Sequence, residues 1–161
     1  MLKAVQILTE LPAGVAVGDR LTLPFELRQK SRLVAKLDSG GQIALSLPRG
    51  HVLRHGALLQ TEEGAVVEVR SAAEELSVVC SADATLLLRA AYHLGNRHVP
   101  LQIQPGRLSY QHDHVLDDML RGLGLDPSFA EEPFEPEAGA YGRAAAHAHH
   151  HHGHGEHDHQ H

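Results

Sequence analysis

Over residues 1–72 the apolar residues recur at every second position, and no stretch of useful length shows helical spacing. Val5 and Ile7 alternate with Ala4 and Gln6, and Leu21 and Leu23 follow a Gly18-Asp19 turn. Leu33, Ala35 and Leu37 alternate with Val34 and Lys36, and Ile43, Leu45 and Leu47 alternate with Ala44 and Ser46. A period of two is that of a strand buried on one face. Between the last two runs lies Asp38-Ser39-Gly40-Gly41, which is hairpin chemistry, and Thr61-Glu62-Glu63-Gly64 separates Leu58-Leu59-Gln60 from Val66-Val67-Glu68-Val69. Residues 1–72 are therefore expected to form a small all-β domain of a partner- or peptide-binding type. With three Phe, three Tyr and no Trp, its core must be aliphatic.

The pattern changes over residues 73–137. Leu76-Ser77-Val78-Val79-Cys80 reads as a strand, with Cys80 as a small core residue, and Ser81 or Asp83 can cap a helix beginning near Ala84. Thr85 to Leu94 is dense in helix formers, and Gly95 marks the expected stop because glycine takes the left-handed C-terminal conformation without strain. A strand over Val99–Gln104, a Pro105-Gly106 turn and Arg107–Tyr110 follow. A second helix is expected from near Asp113, with Val115, Leu116, Met119, Leu120 and Leu123 at helical spacing, running out through Gly122 and Gly124. Phe129 and Phe134 belong to a last edge strand. The order β-α-β-β-α-β predicts a ferredoxin-like second domain, making the chain α+β, and 138–161 reads as a flexible tail.

Charge narrows the function. Residues 1–111 carry 12 Lys/Arg and 10 Asp/Glu (+2), residues 112–146 carry two and eight (−6), and Glu156 and Asp158 close the sum at −6. Phosphate binding rests on concentrated Lys/Arg, so nucleic acid is not an expected partner. Arg28, Lys30, Arg32 and Lys36 form the basic cluster, either a solvated strand face or a docking surface for an acidic partner. No apolar run approaches the roughly 20 residues that cross a bilayer, and Met1–Ile7 alternates instead of forming a signal core. The single cysteine has no internal partner, so the cytoplasm is expected.

Histidine carries the chemistry. His98 falls at the joint between a helix and a strand, where functional side chains are often held. His112-Asp113-His114 offers two imidazoles that chelate only if the helix starts after them, because i and i+2 point apart on a helix. From His147 to His161, nine of fifteen residues are histidine: His147, His149, His150, His151, His152, His154, His157, His159 and His161. Added purification tags are usually uninterrupted runs, whereas this stretch is irregular and includes Glu156 and Asp158. Imidazole with some carboxylate suits nickel, copper and zinc. His51 and His55 are expected to be surface residues. A hydrolytic metalloenzyme needs three closed ligands, an open position and a general base, and nothing resembles a His-Glu-X-X-His helix; an enzyme is not expected.

The block Gly95-Asn96-Arg97-His98-Val99-Pro100-Leu101-Gln102-Ile103 resembles the signature of the UreE family, the urease accessory proteins that carry nickel. Leu23-Pro24-Phe25-Glu26-Leu27-Arg28-Gln29-Lys30-Ser31-Arg32, a strand entry, and Leu47-Pro48-Arg49-Gly50 match the family too. The resemblance implies a β domain followed by a ferredoxin-like metal-binding domain. It implies a cytoplasmic homodimer with Ni(II) as cargo at the interface on His98, a secondary site at His112 and His114, and help from the C-terminal segment. It also implies transfer to a GTPase partner and thence to the urease apoprotein, for nickel insertion and maturation. Zn(II) or Cu(II) is expected to bind in vitro. A nickel or zinc storage protein, using the tail as a buffer, is the alternative.

Overall fold

The computed structural model describes residues 1–139, so the histidines from His147 to His161 lie outside the described residues. The fold is mixed α+β, mostly strands, with two sheets and few helices. The elements are β1 (Leu2–Leu8), β2 (Val17–Leu23), α1 (Phe25–Arg28), β3 (Arg32–Lys36), β4 (Gln42–Ser46), β5 (Leu58–Thr61), β6 (Val66–Ser71), β7 (Ala73–Cys80), α2 (Ala84–Asn96), β8 (Gln102–Gln104), β9 (Arg107–Gln111), α3 (His114–Gly122) and β10 (Ser128–Pro133). The first six strands form one sheet in the order β2-β6-β5-β1-β4-β3. The predicted hairpin is β3–β4, with Leu33 opposite Leu45 and Ala35 opposite Ile43. Alternation then delivers Ile43, Leu45, Leu21, Leu59 and Val69 to one aliphatic core.

The remaining four strands form an antiparallel sheet in the order β10-β7-β9-β8, with α2 between β7 and β8 and α3 between β9 and β10. Its core joins Leu87, Ala90 and Leu94 of α2 to Leu120 of α3 and to Val79, Leu108 and Tyr110 of the sheet. Asp83 caps α2 by accepting from the Leu86 N–H, as its position predicts. Val115, expected on the inner stripe of α3, instead faces solvent.

Four local expectations change. Leu23–Arg32 is not only a strand entry: Pro24 leads into the single helical turn of α1, which turns both Phe25 and Arg28 inward. Arg28 therefore leaves the basic cluster, its side chain fully buried between the sheets. Cys80 is exposed rather than core, because it ends β7 beyond the stretch where Phe25 and Phe134 cover Leu76 and Val78. The strand predicted over Val99–Gln104 pairs only from Gln102 to Gln104.

The two sheets meet at a small apolar cluster of Phe25, Leu76, Val78 and Phe134, where the two rings pack edge to face at 5.8 Å. Arg28 closes it. Its Nε donates to the Leu23 carbonyl (3.1 Å), Nη1 to the Leu53 carbonyl (3.0 Å) and to Glu135 Oε1 (2.5 Å), and Nη2 to the Phe134 carbonyl. Glu135 also accepts from the Ser71 hydroxyl, the His55 N–H and Arg54. Burial pushes its pKa up, but Ser71, Arg28 and the His55 N–H outweigh that and hold it below the usual carboxylate value. A buried guanidinium is tolerable only when its donors are satisfied, and here backbone carbonyls and one carboxylate satisfy them.

Candidate functional site

The loop carrying His98 is built by the way α2 ends. The Val99 N–H reaches the Leu94 carbonyl (3.3 Å) and the His98 N–H the Gly95 carbonyl (2.9 Å), the paired bonds of a Schellman motif. In this register Arg97 is the C-cap and His98 occupies the left-handed position that glycine usually fills, at φ +57°. It is the one non-glycine residue at positive φ among the described residues. The same motif ends α3, with Leu125 bonding back to Leu120, Gly124 to Arg121, and Gly124 at φ +95°. Gly95, the predicted stop, instead lies inside the last turn of α2. An apolar contact of the residue after the left-handed one frequently accompanies the motif. Val99 packs against the core cluster that includes Leu94, whereas a stop at Gly95 would have put polar Asn96 in that place. His98 is consequently exposed at a fixed bend, with Pro100 holding the following chain extended.

Along its length, α2 shows solvent an apolar face. Leu88 is 70% and Tyr92 66% exposed, one helical turn apart, and Ile103 of β8 is 50% exposed. Ala84, Leu87, Ala91 and Leu108 line the groove between that helix face and β8.

The helix starts at His114, inside the His112-Asp113-His114 triplet and not after it, so the condition stated for chelation by both rings is not met. His112 extends the β7–β9 pairing through its N–H to the Glu75 carbonyl (3.0 Å), Asp113 caps α3 by accepting from the Val115 and Leu116 N–H groups, and His114 opens the helix. Strand alternation puts Tyr110 and His112 on one face, and the first turn of α3 brings Asp117 against them. His112 Nδ1 lies 2.9 Å from Ser77 Oγ and 3.5 Å from Asp117 Oδ2, and the Tyr110 hydroxyl donates to Asp117 Oδ1 (2.5 Å). Burial first, and then the Asp117 contact, push the Tyr110 pKa well up. The His112 ring also stands edge-on to Phe129 at 5.2 Å. These three supports of His112 were not evident in the sequence; the spacing of Tyr110, His112 and Asp117 was their only trace.

His51 and His55 are exposed, as expected, although His55 Nδ1 accepts from the Ser71 N–H (3.2 Å). Among the described residues, no three His, Cys, Asp or Glu side chains gather as a metal site. The register of β8 with β9, Gln102 opposite Ser109, places His98 and His112 toward the same end of the sheet. The chain toward residue 140 leaves from that end as well, since the Glu137 N–H bonds the Leu101 carbonyl (2.8 Å).

The family model described as UreE urease accessory protein, N-terminal domain, matches residues 2–72, and the one for the C-terminal domain matches residues 74–161. The chain belongs to the UreE family. Urease accessory protein UreE of Alkalilimnicola ehrlichii is 57% identical over 136 residues, covering 84% of this chain and 83% of the relative. That of Shewanella halifaxensis is 52% identical over 142 residues, 88% and 81% of the two chains, and that of an Enterobacter species 60% over 122 residues, 75% and 80%. As a UreE protein the chain is an accessory protein and not an enzyme. Among the described residues no helix is long and apolar enough to cross a membrane.

Proposed function

We propose that this UreE protein is a cytoplasmic nickel metallochaperone for urease, with an all-β partner-binding domain over 1–72, a ferredoxin-like metal domain over 73–137 and a metal-gathering tail over 138–161. The observation that carries the reading is His98, exposed at a conformationally demanding bend at the end of a helix that also bears an uncovered apolar face. One imidazole leaves Ni(II) mostly to water, so a second copy must complete the site. A two-fold dimer covering Leu88, Tyr92 and Ile103 removes apolar surface from water and sets the two His98 side chains face to face. Glu137 bonds Leu101, three residues from His98, and His147 follows Glu137 by ten positions. Ten positions span at most roughly 35 Å, so the tail histidines have the reach to close over the paired His98 and release again. A site with few fixed donors suits a carrier, which hands its ion to the GTPase partner and thence to the urease apoprotein that the family resemblance implies. Zn(II) and Cu(II) compete for the same imidazoles, copper more tightly. His112 and His114 are read, from the family resemblance, as a secondary metal site, toward the same end of the sheet as His98.

Nickel titration of the full chain, the His98→Ala variant and the chain ending at Ala146 tests this. His98→Ala removes the tightest event and leaves weak tail binding, while His93→Ala, inside α2, leaves both. A storage protein gives the reverse: nearly all binding goes with the tail, and His98→Ala changes little. Two imidazoles facing the ion also make affinity fall by roughly two decades per pH unit below their pKa, so the tight event weakens steeply between about pH 7.5 and about 5.5. Flat affinity across that range assigns the ion to carboxylates and overturns the His98 reading.

A further inference from the structure

The polar groups around His112 have a direction, and it ends at Asp117. A carboxylate accepts hydrogen bonds and donates none, so the Tyr110 hydroxyl, 2.5 Å from Asp117 Oδ1, must be the donor. Tyr110 and Asp117 are both buried, so water does not compete for that bond. Ser77, also buried, lies opposite Tyr110 in the β7–β9 register, and its hydroxyl, 2.9 Å from His112 Nδ1, can donate or accept there. Asp117 Oδ2, at 3.5 Å from the same nitrogen, can only accept. A bare Nδ1 would face the lone pairs of that carboxylate; a protonated Nδ1 points its hydrogen toward acceptors, with the Ser77 hydroxyl turned to accept. Hence the neutral ring carries its hydrogen on Nδ1 and keeps Nε2 bare, and the ring stays partly open to solvent at 39%.

We propose that Asp117, anchored by the Tyr110 hydroxyl, is a positioning residue that fixes His112 as the Nδ1–H tautomer and so presents Nε2 as a ready donor to a divalent transition metal ion. The role follows the general chemistry of carboxylates behind ligating imidazoles, where the outer partner sets both tautomer and ring orientation. It rests on the reading of His112 as a metal ligand, but the tautomer itself is independent of that reading. Asp113 caps the helix and His114 stands exposed, so neither substitutes for Asp117 in this task.

Two-bond nitrogen–proton spectra of the imidazoles in the metal-free full chain, with the His112 signal identified by its loss in His112→Gln, read the tautomer directly. The Nδ1–H pattern is expected; an Nε2–H pattern overturns the proposal. In Asp117→Asn the amide oxygen still accepts from Tyr110 while its NH2 donates to Nδ1, so the ring switches to Nε2–H. Nickel affinity followed at the His112 signal then falls by roughly 10- to 100-fold. Leu116→Ala, a packing loss in the same helical turn, keeps the tautomer and the affinity; an equal loss there makes the role structural and overturns the proposal. Should Asp117→Asn not fold, the tautomer of the unaltered chain still decides. Nickel that leaves the His112 signal of the unaltered chain untouched overturns the ligand reading, and with it the positioning role, whatever the tautomer.

Discussion

At His98 a side chain with chemistry stands where backbone economy favours glycine. The comparison is internal: α3 ends in the same motif with Gly124 in that place. The left-handed conformation costs a residue with a Cβ roughly 1–2 kcal/mol, and histidine is among those that tolerate it best. His98→Gly should therefore stabilise the fold by about 0.5–1 kcal/mol, the relieved strain less the greater freedom of glycine in the unfolded chain. Denaturant midpoints measure that gain, and nickel titration of the same variant should show the tightest event gone. A variant both tighter-folded and unable to bind separates the functional reason for His98 from a structural one. A variant less stable than the parent would mean that the imidazole itself holds the bend.

Among the elements, α1 contributes most for its length. Four residues long, it exists to carry Phe25 and Arg28 into the junction, where Arg28 gathers carbonyls from residues 23, 53 and 134 and the Glu135 carboxylate. Removing one partner of a buried ion pair costs roughly 3–5 kcal/mol. Arg28→Ala should fall near the lower end, about 3 kcal/mol, because Glu135 keeps contact with water at 28% exposure. Arg28→Lys should recover little, since an ammonium cannot span the same fork of acceptors. The junction also has a pH dependence of defined sign. The pKa of Glu135 is lower in the folded chain than its ordinary 4.5, so its contribution is complete above about that value and is lost as the pH falls through the folded one. Urea midpoints taken from neutral pH down to about 3 should drop more steeply for the parent than for Glu135→Gln, and parallel curves would show that Glu135 is not the group responsible.

For the molecule as a whole, the exposed faces matter more than the cores. Leu88 and Ile103 border one groove, and Tyr92 stands one turn along α2 from Leu88, on the domain that carries His98. Placing a charge in that face, as in Leu88→Glu, should convert a dimer to a monomer on gel filtration and abolish the tight nickel event with His98 still present. A monomeric parent, with or without nickel, would remove the basis of the shared site. The chain ending at Ala146 should stay dimeric and keep the tight event while binding fewer ions.

The sequence by itself determined what depends on neighbours along the chain. Period-two alternation placed the strands of the first sheet, and helix formers with Asp83 and Asp113 as caps placed α2 and α3. The block from Gly95 to Ile103 named the family and His98 within it. Tertiary structure decided what depends on distant partners. Arg28 read as part of a basic cluster because its acceptor Glu135 lies 107 residues away. Cys80 read as core because local pattern does not show where a strand outruns its cover. His98, and not Gly95, took the left-handed position because Val99 packs into the core and bonds back to the Leu94 carbonyl, which sets the register of the helix end. Around His112 the hydrogen bonds come from β7, β9 and α3 together, and only their convergence gives the ring a direction. Periodicity reports which face of an element is apolar; the element that covers the face, and the group that answers a buried charge, are settled only when the chain folds.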